Sequence, residues 1–237
     1  GKAASALGLE GEAKKGALQS LLSGTHPRTG DTLFETNEST VRGYDFTFSA
    51  SKSVSMLFAV ADNKTREQIR EAFEASVRDA MERFEDEVHV RHGRAGWARA
   101  QGVVSILYEH GSSREGDPQL HIHGETLARV LNDDGELAAM NTREPYTIQK
   151  LGGAIFRAKF AERLRDLGFS IEQGVEGTFE VEGVPEEVRL HFSQRSNQIA
   201  EQIEKRVMTV RDRKYRSCIE AGMSDADADY EADKKAG

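Results

Sequence analysis

Three histidines are spaced so that they could hold one metal ion. His121 and His123 are separated by a single residue, and His110 precedes them in the same stretch of chain. In an extended strand alternate side chains share a face, so His121 and His123 point the same way while Leu120 and Ile122 point into a core. Between His110 and His121, the run from Gly111 to Pro118 has the Gly, Ser, Asp and Pro content of a chain reversal, which would return His110 alongside the pair. Three neutral imidazoles can converge on one divalent cation and leave coordination positions open, as in a catalytic rather than a structural site. An isolated His-x-His pair is more often a coincidence or a pair of hydrogen-bonded core histidines; a third histidine on a neighbouring strand weakens that reading.

Those histidines need strands to carry them and helices to back the strands. Tyr44 to Phe48, Val103 to Glu109 and Gln119 to Leu131 read as strands, the last followed by the turn Asn132-Asp133-Asp134-Gly135. From Lys64 to Val88, the residues Ile69, Phe73, Val77, Ala80, Met81, Phe84 and Val88 recur at spacings of three and four, which predicts a helix with one buried stripe. A second helix is expected from about Thr147 to Leu167, with Gly168 as its stop signal. A short strand pair, Ser170 to Glu172 and Thr178 to Val181, follows, then a polar and breakable helix from about Pro185 to Arg206. The reading is an α+β fold with a central, mostly antiparallel sheet: one domain over residues 1–222, and an acidic tail, 223–237, expected to be frayed or disordered.

Composition sets outer bounds. A chain of 237 residues is long enough for one domain or a close pair. The 32 basic and 40 acidic side chains give a net charge of −8, so bulk charge does not announce a nucleic-acid binder. The sum conceals segregation: residues 61–88 carry nine acidic and five basic groups, residues 189–216 eight basic and three acidic. The single cysteine, Cys218, excludes an internal disulfide and a cysteine-rich zinc site, and points to the cytosol. No stretch reads as a membrane span or secretory signal, so membrane insertion is not expected. Asp225, Asp227 and Asp229 imitate a calcium loop, but Tyr230 and Ala236 stand where it needs Gly and Glu. There is no phosphate-binding Gly-x-x-x-x-Gly-Lys-Ser/Thr loop either.

Three blocks resemble the MobF-type conjugative relaxases of the HUH endonuclease superfamily. They are Gly1 to Leu9, the run Gly43-Tyr44-Asp45-Phe46-Thr47-Phe48-Ser49-Ala50-Ser51-Lys52-Ser53-Val54-Ser55, and His110 to His123. The resemblance implies a five-stranded-type antiparallel sheet flanked by helices, and a metal-assisted transesterification in which a tyrosine attacks one phosphodiester of single-stranded DNA at a plasmid transfer origin. It implies His110, His121 and His123 as ligands of one divalent ion, with Mg, Mn, Zn and Ni not distinguished by the ligand types. Asp45 matches the acidic residue beside the site, where it would orient a ligand imidazole or accept the tyrosine proton. Arg114 matches a basic residue that would clamp a phosphate, and Lys52 is a further candidate for a DNA backbone contact. The partners implied are origin DNA, relaxosome accessory proteins and a coupling protein, in a bacterial cytoplasm.

The resemblance fails at the nucleophile. None of Tyr44, Tyr108, Tyr146, Tyr215 or Tyr230 falls at the family's tyrosine positions, which lie upstream of the block that opens this sequence. Tyr108 is expected to be a pocket wall, and Tyr44 to face away from Asp45. Either a segment precedes the sequence, the favoured reading, or the chain is a non-catalytic module that binds origin DNA. Glu125, two residues after His123, places a carboxylate near the ligands where the family tends to continue with apolar residues.

Overall fold

A computed structural model describes the chain except residues 38–40, 93–95, 142–143, 222 and 237; at 92, 144, 146, 147, 195, 196, 199, 200, 204, 210, 219, 225, 226, 235 and 236 only the backbone is described. The elements in chain order are α1 (Lys2–Ala6), α2 (Ala17–Leu22), β1 (Gly43–Ser49), α3 (Lys52–Val60), α4 (Asn63–Glu87), β2 (His89–His92), β3 (Gly96–Arg99), β4 (Gly102–Ser112), β5 (Pro118–Leu131), β6 (Leu137–Ala139), α5 (Glu144–Asp166), β7 (Ile171–Gln173), β8 (Phe179–Val181), α6 (Glu186–His191), α7 (Gln194–Glu220) and α8 (Asp225–Ala236). They form two compact units, residues 1–112 with 118–185, and residues 113–117 with 186–237.

The first unit is built on an antiparallel sheet of order β1-β5-β4, with β6 pairing the far end of β5. Its strands alternate as their sequences demand. Leu120 and Ile122 are fully buried, and they pack with Phe48 against Ile69, Phe73, Val77 and Ala80 of α4 and Phe156, Phe160 and Leu164 of α5. The aromatic rings of this layer interlock edge to face: Phe73 lies 5.3 Å from Phe156 and 5.1 Å from Phe160, the geometry that a ring quadrupole favours. Helix α4 starts where Asp62 accepts the Thr65 backbone N–H at 2.8 Å. Burying each of these large apolar side chains stabilises the unit by about 1.5–3 kcal/mol.

The opposite face of the sheet is only half covered. Around α1 and α2, Ala3, Leu21, Leu7, Leu9, Leu33 and Phe34 pack on Val104, Ile106, Leu127, Leu131 and Leu137. Nearer the β4–β5 turn the same face is open: Asp45, Thr47, Ser49 and His110 are exposed, and His121 and His123 are half-buried.

The mixed architecture is the one expected, with four strands in the main sheet among the described residues rather than five. The remaining strands close as the local hairpins β2–β3 and β7–β8. Helix α3 lies outside the sequence-based expectation: nine residues are too few for a clear period, and three of its serine-rich core positions, Ser53, Val54 and Ser55, are buried together with Phe58.

The second unit differs from the expected secondary structure in its helices. The polar helix breaks at Phe192–Ser193 and then runs on to Glu220 instead of stopping near Arg206. Residues 225–236 form α8 rather than a frayed tail. Alanine spacing gives α8 a buried edge, with Ala228 and Ala232 fully enclosed and Cys218 of α7 buried, while Arg211 of α7 pairs with Asp229 and Asp233. The aspartates at 227 and 229 thus stand on a helix, and Asp225 is described only in its backbone.

Candidate metal centre

Sheet register brings the three histidines together. His110 pairs directly with His121 across β4 and β5, and Ser49 of β1 pairs with His121 from the other side. The next row on the same face is Thr47, His123 and Tyr108, and the row after it Asp45, Glu125 and Ile106. The ring centroids of His110, His121 and His123 lie 5.2, 5.4 and 5.0 Å apart. Rings sharing one ion through nitrogens about 2.1 Å from it would have centroids about 5 Å apart. Among the described residues, however, no group of three or more His, Cys, Asp or Glu side chains is arranged as it stands to hold an ion. The spacing carries more weight than the convergence of the nitrogens. Centroid separations are set by backbone register, whereas imidazole rotation about χ2 is soft.

Two rings already have their second nitrogen committed. His121 Nδ1 lies 2.9 Å from the Gln119 carbonyl, which can only accept, so Nδ1 carries the proton and Nε2 presents a lone pair. His123 Nδ1 lies 2.8 Å from Asp45 Oδ2 and 3.2 Å from Thr47 Oγ1, with the same consequence. Such partners fix the tautomer and orientation of each ring. The outward Nε2 atoms of His121 and His123 are therefore free of these bonds and carry lone pairs on the open face of the sheet. Thr47 has a sequence signal that the motif reading passes over, since its alternation with Asp45 places it on the same face; the Gln119 carbonyl, a backbone group, has none.

Burial pushes the Glu125 carboxyl above the usual carboxylate range; the charge of Asp45 adds to the rise and His123 opposes it. Tyr108 and His110 line a groove of about 580 Å³ along β4, with residues of α1, α2 and the segment between them. Tyr108 is thus a pocket wall, as expected. Tyr44 turns away from Asp45 towards Phe46, 6.5 Å away, and the cluster around Phe84. On that inner side Arg70 of α4 reaches Glu109 at 3.1 Å, bracing β4 one residue before His110 and raising the Arg70 pKa.

Lys52 opens helix α3 beside the start of β5. Its ammonium donates to the Pro118 carbonyl at 2.9 Å and to Gln119 Oε1 at 3.1 Å, while Gln119 Nε2 donates to Ala50 and Ser55 Oγ accepts the Leu120 N–H. It braces the start of the histidine strand. Arg114 lies exposed in the turn between β4 and β5, a turn that belongs to the second unit.

A histidine-hydrophobic-histidine strand at the centre of an antiparallel sheet, with a third histidine beside it and a carboxylate behind it, is the arrangement of the HUH class. Comparison with known proteins narrows this. Residues 1–235 match the TrwC relaxase family. The chain is 32% identical over 219 residues to the multifunctional conjugation protein TraI of Escherichia coli K12, and 31% identical over 221 residues to a second Escherichia coli TraI. Each match covers 86% of this chain and 12% of the relative, so the chain spans only a small part of those proteins' length. Conjugative relaxase TrwC in complex with oriT DNA, metal-bound, superposes with a TM-score of 0.78 at 30% identity over 86% of this chain and 72% of that one. A copper-bound TrwC complex with oriT DNA gives 0.75 at 27% identity over 99% and 78%. The chain belongs to the TrwC relaxase family, the MobF-type conjugative relaxases.

Proposed function

We propose that this chain is the DNA-processing part of a conjugative relaxase, which nicks one strand at a plasmid transfer origin through a tyrosyl-DNA intermediate. The observation that carries the reading is the face itself: three imidazoles about 5 Å apart, with His123 held by Asp45 at 2.8 Å, in a member of this family. His110, His121 and His123 would hold one divalent ion, which when bound supplies positive charge against the non-bridging oxygens of the scissile phosphate. Asp45 keeps the His123 ring aimed, or takes the tyrosine proton as the new phosphorus–oxygen bond forms. As that bond forms, the bond from phosphorus to the 3′ oxygen breaks, and the 3′ oxygen takes up a proton. The phosphotyrosine conserves the ester, so the strand can be resealed. Arg114 in its exposed turn is the candidate phosphate clamp. The partners in this reading are single-stranded origin DNA, relaxosome accessory proteins and a coupling protein in the bacterial cytoplasm. Among the described residues no helix is long and apolar enough to cross a membrane.

The nucleophile is assigned to none of the five tyrosines of the sequence. That favours one second reading, a module that binds origin DNA without cutting it. Natural protein incubated with supercoiled plasmid bearing its origin separates the two. Nicking with a covalent 5′ adduct, abolished by chelation and by His121→Ala, is the expected result. Binding that survives loss of all three histidines, with no adduct, would establish the second reading.

A further inference from the structure

Asp117 is 3% exposed, and both its oxygens are taken by one residue: Oδ2 accepts the Gln194 backbone N–H at 2.9 Å and Oδ1 accepts Gln194 Nε2 at 3.3 Å. Gln194 is the first residue of α7, so the carboxylate lies against the unsatisfied N–H end of a 27-residue helix, where the helix dipole favours negative charge. The turn that holds Asp117 is closed on itself. The Ser113 N–H donates to the Asp117 carbonyl at 2.9 Å, Ser113 Oγ accepts the amides of Glu115 and Asp117 at 3.2 Å, and Gly116 supplies a φ of +83° that a side chain would oppose. Residues 113–117 accordingly group with 186–237, although the strands on either side of them belong to the first unit. Those strands carry His110 and His121, and the turn itself carries Arg114. Helix α7 carries Lys205, Arg206, Arg213, Lys214 and Arg216, a charge pattern suited to a polyanion.

We propose that Asp117 is a positioning residue that fastens the turn between β4 and β5 to the N-terminus of α7, so that single-stranded DNA engaged by α7 sets the placement of that turn and of Arg114. The inference rests on the DNA reading given above.

Hydrogen exchange of the chain with and without oligo-dT tests it. In the parent chain oligo-dT slows exchange in α7 and also in the amides of residues 113–117. With Asp117→Ala the protection of α7 persists, and the extra protection of the turn falls by about tenfold, the size expected for a hydrogen bond to a charged group. Asp117→Asn, which keeps an acceptor oxygen, restores most of it. Gln194→Pro breaks the same tie from the helix side at a position where proline is well tolerated, and it should mimic Asp117→Ala even if that variant folds poorly. A purely structural tie would lower the melting temperature without making exchange in the turn depend on DNA. Equal DNA-induced protection of the turn in the parent, Asp117→Ala and Gln194→Pro chains overturns the inference. Protection of α7 without the turn in the parent overturns the inference alone; protection of neither overturns it together with the DNA reading.

Discussion

The Nδ1 contacts of His121 and His123 commit one side of each ring and leave the other side outward. A carbonyl and a carboxylate hold the proton on one side of each ring, so the other side is ready as a ligand. Removing the carboxylate should therefore weaken the ion more than it weakens the fold: Asp45→Ala is expected to lower Mn²⁺ affinity by about 10–100-fold in titration calorimetry, with little change in melting temperature. Lys52 makes the converse prediction. Because its ammonium is spent on Pro118 and Gln119, Lys52→Met should cost about 1.5–3 kcal/mol in denaturant unfolding. The salt dependence of single-stranded DNA binding should stay as it was. A phosphate contact would behave the other way, leaving stability intact and flattening the salt slope.

The long elements were legible because their periods are long. Asn63–Glu87 and Glu144–Asp166 fall within a few residues of the helices expected from their apolar spacing, and β5 follows from the alternation of Leu120, His121, Ile122 and His123. What escaped the sequence was short or depended on another segment. Helix α3 has too few turns to show a stripe, and α8 reads as a solvated acidic end until its alanines meet α7. The trio of histidines was legible, but the supporting bonds from Thr47 and Lys52 were not, since each depends on register between segments far apart in sequence, and the bond from the Gln119 carbonyl was not because a backbone group carries no residue signal. Two measurements check the helix reading. Phe73→Ala, at the junction of α4 and α5, should cost about 3–5 kcal/mol in chemical unfolding. The Asp62 cap on α4 is held below its ordinary pKa chiefly by the Thr65 N–H. Its contribution is thus full above the unfolded carboxylate value of about 4 and is lost as pH falls through the lower folded value. The difference in melting temperature between the parent and Asp62→Ala should shrink on acidification below that point.

A net charge of −8 would repel a polyanion if it were spread evenly, and it is not. Much of the basic surplus rides on α7, where Arg211 is already tied to Asp229 and Asp233. Arg213 and Arg216, which line a shallow surface hollow with Thr209 and Glu220, are the better candidates for phosphates. Replacing both with Ala should reduce the slope of log affinity against log salt by about 1.4, or roughly 0.7 for each single-strand phosphate that is no longer neutralised. Replacing Arg211 should chiefly loosen α8. The alternation along β5 has an evolutionary corollary. Inserting one residue just before Leu120 would swing both imidazoles into the oily interior and push Leu120 and Ile122 out to water, so that chain would fail to fold before it could fail to react. Selection for a soluble protein therefore guards this chemistry against frameshifted strands, and the two histidines can drift apart only by losing the sheet that displays them.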